Sequence, residues 1–192
     1  MKYKYIPWLE VIEFSLKLSE TIRRAYKPEV IIAVSRGGLV PARIISDALG
    51  VEELYCIRAK HWGIGGKKYK EPVIIEDNLP ISGYKVLVVD DVVDTGLTLK
   101  KIVEHLSSRN ARELRTAVLH VKPKSVYVPD FYVEKLDEWL WIIYPWTIFE
   151  VLKTLGMESG IRDPKKLLGK LNKLTSSSIE EFYSKYIHLL EV

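Results

Sequence analysis

The chain has 192 residues, of which 47% are hydrophobic and 28% charged, and its formal net charge is +4. These values exclude a disordered low-complexity chain, and the length allows one globular core without disulfide or metal support. The lysines and arginines form no long run and no groove-reading motif, which disfavours nucleic-acid binding.

The single cysteine, Cys56, excludes an internal disulfide and fits a reducing compartment, so we expect a cytoplasmic protein. No stretch of about 18 apolar residues occurs, so the sequence predicts no membrane span and no membrane partner. The four histidines are scattered without the spacing of zinc ligands.

Hydrophobic periodicity predicts helices and strands that alternate along the chain. A stripe at steps of three and four predicts a helix over residues 7–26, and a β-branched run predicts a strand over 30–34. A helix over 39–49 then ends at Gly50. Further strands are predicted over 54–57, 85–89 and 116–121, with a helix over 98–106. This order predicts an α/β fold with a parallel sheet that has helices on both faces.

Two stretches depart from this alternation. Residues 60–83 are polar and rich in glycine and lysine, which favours a mobile loop and leaves a hairpin at 73–75 open. Residues 126–145 crowd aromatic side chains between prolines, which indicates a small subdomain, a pocket wall or simple aromatic packing under a loop.

The last part of the chain carries helix-start signals. Thr147 with Glu150 and Ser178 with Glu181 have the spacing of capping boxes, and Asp163 before a proline predicts another helix start. We therefore predict a main domain over 1–155 and a helical C-terminal extension over 156–192. One apolar face is predicted for the last helix, formed by Ile179, Phe182, Tyr183, Tyr186, Ile187 and Leu190.

The most informative run is residues 86–98, Val-Leu-Val-Val-Asp-Asp-Val-Val-Asp-Thr-Gly-Leu-Thr. A buried strand brings Asp90 and Asp91 to its carboxyl end, where open α/β sheets bind ligands. Thr95, Gly96 and Thr98 follow at a helix start, where amides and the helix dipole favour phosphate. Together they predict a ligand with vicinal hydroxyls and a phosphate, which is a phosphorylated sugar.

Plainer explanations of this run stay open. One acid can act as a helix N-cap and the doublet can form a solvated turn, although a cap accounts for only one of the three acids. A response-regulator receiver domain also places acids at strand ends, but it has no need of the Thr-Gly-Leu-Thr sequence.

The run Val88-Val89-Asp90-Asp91-Val92-Val93-Asp94-Thr95-Gly96-Leu97-Thr98 resembles the 5-phosphoribosyl 1-diphosphate (PRPP) loop of type I phosphoribosyltransferases. Three further segments resemble the purine-salvage branch, which includes xanthine-guanine and hypoxanthine-guanine enzymes. They are Ser35-Arg36-Gly37-Gly38-Leu39-Val40-Pro41, Val121-Lys122-Pro123 and Trp141-Ile142-Ile143-Tyr144-Pro145-Trp146. The resemblance covers about residues 5–150 and implies the parallel-sheet fold of that family. With it we expect a five-stranded, mostly parallel core sheet and a small hood over about 122–150.

The resemblance assigns the PRPP-binding residues. Asp90 and Asp91 hold the ribose hydroxyls, and Asp91 also lies near a Mg²⁺ ion through solvent. The 5-phosphate lies on the loop formed by Asp94, Thr95, Gly96, Leu97 and Thr98. The pyrophosphate loop, which contains a cis peptide in the family, is formed by Ser35, Arg36, Gly37 and Gly38. An ordinary glycine turn is the alternative for that loop.

The resemblance also implies how the purine is read. Asp94 manages the proton at N7 as a general acid and base, and Lys122 contacts the oxygen at C6. Because a protonated amine only donates hydrogen bonds, this favours 6-oxopurines over adenine. Trp141 stacks on the ring and the main chain at Ile142 meets the C2 edge. The alternatives are a solvated lysine and a core tryptophan, and Thr147, where relatives commonly have an acid, leaves C2 specificity open.

The expected reaction transfers phosphoribose from PRPP to N9 of hypoxanthine, guanine or xanthine, gives the nucleoside monophosphate and releases pyrophosphate with Mg²⁺ present. Residues 60–83 fall where the family has a lid, and Lys67 and Lys68 are left outside the predicted site. The resemblance implies a homo-oligomer, a dimer or a tetramer. An adenine-specific enzyme and a non-catalytic regulator that senses PRPP stay open as alternatives.

Overall fold

The computed structural model describes residues 2–60, 62–63, 66–67, 72–76, 78–177, 179 and 181–190. Within these residues the strands are β1 (Tyr3–Tyr5), β2 (Val30–Ser35), β3 (Leu54–Lys60), β4 (Trp62–Gly63), β5 (Gly66–Lys67), β6 (Val73–Glu76), β7 (Lys85–Val93), β8 (Glu113–Val121), β9 (Phe131–Lys135) and β10 (Trp141–Ile143). The helices are α1 (Trp8–Ala25), α2 (Leu39–Leu49), α3 (Leu97–Ser107), α4 (Ile148–Ser159), α5 (Pro164–Thr175) and α6 (Phe182–Lys185), with 3₁₀ turns at Pro145–Thr147 and Ile187–Leu189. None of these helices has the length and apolar character needed to cross a membrane.

The chain divides into two compact units, which are described separately. The larger unit comprises Ile12–Trp62 and Lys67–Glu138. The smaller unit comprises Met1–Val11, Gly63–Gly66 and Trp139–Val192.

The larger unit contains a mostly parallel sheet. Over the described residues the sheet has six strands in the order β6-β3-β2-β7-β8-β9, and only β6 is antiparallel to its neighbour. Its central strands are buried on both faces, as expected of a parallel sheet covered by helices. On one face, Leu99, Ile102 and Leu106 of α3 join a core with side chains of β2, β7 and β8.

Several predicted elements are confirmed. Helix α2 has the predicted bounds, and Gly50 ends it in the left-handed conformation with φ of 69°. Strands β3, β7 and β8 lie where predicted but run further, because pairing with neighbouring strands continues the ladder beyond the apolar run. The segment at 73–75 belongs to β6, which pairs with β3.

Over the described residues the core sheet has one strand more than the five predicted. Strand β9 lies inside the predicted hood, yet it pairs in parallel with β8 at the edge of the sheet. Of the predicted lid, residues 61, 64–65, 68–71 and 77, and therefore Lys68, lie outside the described residues.

The smaller unit pairs β1 with β10 in parallel and packs the C-terminal helices against them. Its buried core consists of Tyr5, Ile143, Ile148, Val151, Leu152, Leu155, Leu167, Leu168, Leu171, Ile179, Tyr183, Ile187 and Leu190. The Asp163 carboxylate caps α5 by accepting hydrogen bonds from the amides of Lys165 at 2.9 Å and Lys166 at 3.3 Å, as predicted. The predicted domain boundary after residue 155 falls within α4 and stays a prediction.

Two local predictions in the smaller unit are wrong. Thr147 does not form a capping box, because its hydroxyl donates to the carbonyl of Tyr144 at 2.9 Å instead of capping α4. The predicted last helix is instead the short α6 followed by a 3₁₀ turn. Tyr186 of its predicted apolar face is 56% exposed, whereas four others are buried as predicted, namely Ile179, Tyr183, Ile187 and Leu190. Ser178, which opens the second predicted capping box, lies outside the described residues.

Candidate functional site

Three predicted binding segments of the larger unit meet at the carboxyl ends of the parallel strands. Strands β2, β7 and β8 are parallel neighbours, so their carboxyl ends lie side by side. Loop 35–38 follows β2, loop 94–98 follows β7, and Lys122 follows β8. The fold therefore brings these three segments of the chain together.

Loop 35–38 makes a tight turn between β2 and α2. The peptide bond between Ser35 and Arg36 is cis, as the resemblance implies. A Cβ atom at Gly38 would lie 2.3 Å from the carbonyl oxygen of Val89, and one at Gly37 would lie 2.3 Å from Oδ2 of Asp91. Only glycine fits at these two positions without a shift, so loop 35–38 is packed directly against the end of β7.

Asp90 and Asp91 form an adjacent pair of carboxylates near the end of β7. The amide of Asp91 donates to Oδ1 of Asp90 at 2.9 Å, and the amide of Val92 donates to Oδ1 of Asp91 at 2.8 Å. Burial raises the pKa of Asp90 well above its usual value, and the charge of Asp91 raises it further. The site therefore concentrates negative charge, and this charge favours ligands that donate hydrogen bonds or carry a cation.

Loop 94–98 leads from β7 into α3. Gly96 precedes the helix with φ of 81°, a left-handed conformation that glycine adopts without strain. The N-cap residue is Gly96, which has no side chain to cap the helix, so backbone amides of the first turn face the loop. Oγ1 of Thr95 accepts a hydrogen bond from the Leu97 amide at 3.5 Å. A helix start with amides, a positive dipole end and two nearby threonines is chemically suited to phosphate.

Lys122 and Asp94 form an ion pair across the ends of β8 and β7. Nζ of Lys122 donates to Oδ2 of Asp94 at 3.1 Å, and Lys122 is only 7% exposed. Burial lowers the pKa of the Lys122 ammonium, while the charge of Asp94 opposes this shift. The pairing was not predicted from the sequence, because the two residues are distant in the chain and meet only through the strand order.

The other two predicted purine-binding residues, Trp141 and Ile142, lie on β10 in the smaller unit. Trp141 is half-buried and stacks on Tyr3, with ring centroids 6.2 Å apart and an interplanar angle of 26°. Ile142 is 7% exposed and pairs with Lys4 of β1. Their roles toward a purine stay predictions from the resemblance.

The acidic pair fits one way of holding Mg²⁺. Within the described part of the chain, no group of three or more His, Cys, Asp or Glu side chains is arranged to ligate a metal. Mg²⁺ typically takes one or two carboxylates and completes its shell with water and substrate phosphates. Asp90 and Asp91 supply that oxygen chemistry, and a cation would stabilise the ionised form of Asp90, whose pKa is raised by burial and by the charge of Asp91.

Sequence reasoning missed the residues that support loop 94–98. The amide of Val126 donates to the carbonyl of Thr95 at 2.9 Å, and Ser125 and Tyr127 lie against Gly96. These residues sit in an aromatic and polar stretch that has no periodicity. The requirement for glycine at position 96 is the one sequence signal that could have pointed to a close neighbour.

Comparison with known proteins agrees with this geometry. A xanthine-guanine phosphoribosyltransferase of Idiomarina loihiensis is 31% identical over 142 residues, which cover 74% of this chain and 85% of that protein. The crystal structure of a purine phosphoribosyltransferase from Pyrococcus horikoshii is 39% identical with a TM-score of 0.65, and the match covers 76% of this chain and 94% of that one.

A second solved structure, a Neisseria gonorrhoeae protein with bound ppGpp, is 26% identical with a TM-score of 0.68 and covers 84% of this chain and 99% of its own. Residues 9–148 match the phosphoribosyl transferase domain family. This match spans most of the chain and includes both loops and the acidic pair, so the chain belongs to the phosphoribosyl transferase domain family.

Proposed function

We propose that this protein is a purine phosphoribosyltransferase that transfers 5-phosphoribose from PRPP to N9 of a 6-oxopurine. The observation that carries the proposal is the buried ammonium group of Lys122, which donates a hydrogen bond to Asp94 at the start of loop 94–98. An ammonium group donates hydrogen bonds only, so it matches the C6 oxygen of hypoxanthine, guanine or xanthine and not the amino group of adenine. The relatives named for xanthine-guanine and purine transfer support the same substrate class.

PRPP is proposed to bind at the carboxyl ends of β2 and β7 in the larger unit. Asp90 and Asp91 accept hydrogen bonds from the ribose hydroxyls, and the amides of loop 94–98 bind the 5-phosphate. Loop 35–38, with the Arg36 guanidinium, faces the pyrophosphate. The charges support this placement, because carboxylates pair with hydroxyl donors whereas amides and guanidinium pair with phosphate.

The protein acts in this reaction mainly by positioning the substrates. N9 of the purine forms the new bond to C1 of the ribose, and the bond from C1 to pyrophosphate breaks with its electron pair on the leaving group. Asp94 accepts or returns the proton at N7, and Lys122 fixes the base by its C6 oxygen. Asp91 would hold a Mg²⁺ ion through water, and the bound ion would supply positive charge opposite the pyrophosphate.

A steady-state assay of four purine bases tests the proposal. The protein is incubated with PRPP, Mg²⁺ and hypoxanthine, guanine, xanthine or adenine, and nucleotides are separated by chromatography. We expect product from at least one 6-oxopurine and little from adenine. Asp94→Asn should lower kcat by about 100-fold, the usual scale of a lost general acid or base. The matched control Asp137→Asn, at an exposed position, should leave kcat unchanged.

Other outcomes of this assay decide between the alternatives. Product from adenine alone would indicate an adenine-specific enzyme on the same scaffold. Calorimetric binding of PRPP without product from any base would indicate a regulator. Activity that survives complete removal of Mg²⁺ by EDTA would contradict the role given to the metal.

Two further properties are part of the proposal. A cytoplasmic location is supported by the single cysteine of the sequence. A homo-oligomer is supported by the resemblance, and analytical ultracentrifugation of the purified protein tests it.

A further inference from the structure

Residues 123–130, here called the crossover segment, connect the parallel strands β8 and β9 without a helix. Parallel neighbours are usually joined by a crossover helix that covers the sheet. Here Tyr127 is partly buried and packs against the apolar cluster that contains the buried side chains of α3. Tyr127 therefore fixes the middle of the segment to the core, while its neighbours Val126 and Val128 are exposed.

The crossover segment makes direct backbone contact with loop 94–98. The amide of Val126 donates to the carbonyl of Thr95 at 2.9 Å. A Cβ atom at Gly96 would lie 2.5 Å from Oγ of Ser125 and 2.7 Å from the amide nitrogen of Tyr127. The side of Gly96 that would carry a side chain is thus closed by the crossover segment.

Ser125 and Tyr127 shape the turn that makes these contacts. Oγ of Ser125 accepts a hydrogen bond from the Tyr127 amide at 3.2 Å and donates one to the Tyr127 carbonyl, so it closes a small ring around Val126. The Tyr127 hydroxyl lies 3.4 Å from Oγ1 of Thr116. Thr116 in turn donates through its hydroxyl and its amide to Oδ2 of Asp130, each at 2.8 Å. The Tyr127 side of the turn and the end of the crossover segment are therefore anchored to β8.

We infer that Ser125 and Tyr127 are positioning residues that hold loop 94–98 in the shape that binds the 5-phosphate of PRPP. The inference rests on the proposed function. Neither residue is placed against substrate, and both act through the backbone of Thr95 and Gly96. A loop whose amides must converge on one anion binds it best when its backbone is already ordered, so its support affects PRPP more than the purine.

The decisive variant is Ser125→Ala, which removes both Oγ hydrogen bonds and adds no atoms. We expect the KM for PRPP, and its Kd by calorimetry, to rise about tenfold, the factor that corresponds to roughly 1.4 kcal/mol. The KM for the purine and the Tm should change little, because the backbone bond between Lys122 and Val93 stays in place. Ser125→Thr, which keeps the hydroxyl, should restore most of the PRPP affinity.

Ser177→Ala is the matched control. The Ser177 hydroxyl donates to the carbonyl of Thr175, also two residues away and partly buried, but it lies in the smaller unit. This variant should keep the wild-type KM for PRPP. Tyr127→Phe is a second test that leaves the ring in the core, and we expect it to raise the KM for PRPP about threefold.

The results separate this inference from the proposed function. If the wild type forms nucleotide and Ser125→Ala binds PRPP as tightly as wild type, the inference fails while the function stands. If Ser125→Ala lowers the Tm and raises the KM of both substrates equally, Ser125 is structural only and the inference is again overturned. A wild-type protein that neither binds PRPP nor forms product would contradict both the proposed function and this inference.

Discussion

Asp90 combines two properties that conflict in the free protein. Its carboxyl group lies at a buried strand end, and burial together with the charge of Asp91 raises its pKa above the usual value. The same position is where the ribose hydroxyls are proposed to bind. The ionised form of Asp90 is unfavourable in the free protein, but hydrogen-bond donors or a cation stabilise it. Ligand binding and the ionisation of Asp90 are therefore linked.

We expect PRPP binding to weaken in mild acid. Because the pKa of Asp90 is raised, this carboxyl group takes up its proton at a higher pH than an ordinary aspartate, and the protonated form is a poorer acceptor for ribose hydroxyls. The KM for PRPP, measured between about pH 5 and pH 8, should therefore rise as the pH falls. A KM that stays constant down to about pH 4, the ordinary range of aspartate, would contradict this assignment.

Replacing Asp90 should make the free protein more stable while weakening PRPP binding. A folded-state pKa above the unfolded value of about 3.9 means that ionisation destabilises the fold as the pH rises through the folded pKa. We expect Asp90→Asn to raise the free energy of unfolding in urea by on the order of 1 kcal/mol at neutral pH. The gain should disappear below about pH 4, where both states are protonated. Asp137→Asn, at an exposed position, should show no such gain.

At the scale of elements, loop 35–38 depends on how closely it approaches β7. Gly38→Ala places a Cβ atom 2.3 Å from the Val89 carbonyl oxygen, so the loop or the strand must move. We expect a loss of about 1–3 kcal/mol in unfolding free energy, the usual cost of overpacking, and a large loss of activity. Gly169→Ala, in α5 with open space around it, is the control and should stabilise by roughly 0.5–1 kcal/mol. Equal Tm values for wild type and Gly38→Ala would refute the contact.

The C-terminal helices of the smaller unit are fixed by a buried hydrogen bond as well as by their apolar core. The Tyr183 hydroxyl donates to the carbonyl of Pro145 at 2.7 Å, which joins α6 to the 3₁₀ turn after β10. Tyr183→Phe should lower the unfolding free energy by about 1–2 kcal/mol, because a buried carbonyl loses its donor. Tyr186→Phe, whose ring is 56% exposed, serves as the control and should leave thermal unfolding unchanged.

At the scale of the whole molecule, the sequence predicts elements whose signals are local. The bounds of α2 follow from its apolar stripe and Gly50, and the start of α5 follows from the Asp163 cap. Strand β9 was missed because an edge strand exposes side chains such as Tyr132, which is 41% exposed, and so lacks a continuous apolar run. Its aromatic composition indicated a separate hood instead.

The features of the candidate site likewise divide into those predicted from adjacent residues and those that depend on the fold. The order of acids, threonine and glycine in residues 90–98 identified the ligand class, since that chemistry is written in adjacent residues. The bond between Lys122 and Asp94, and the closure of Gly96 by Ser125, depend on which strands are neighbours. The spacing of residues along the chain does not predict such contacts, so they become visible only in the folded structure.

The pairing of β1 with β10 has a consequence for biosynthesis. The ribosome releases Tyr3–Tyr5 early, whereas Trp141–Ile143 emerges only after the whole larger unit has been made. Until then β1 lacks its partner strand, whereas the strands of the larger sheet can already pair, because all of them precede β10 in the chain. The β1–β10 pair can therefore form only after all the strands of the larger sheet have left the ribosome.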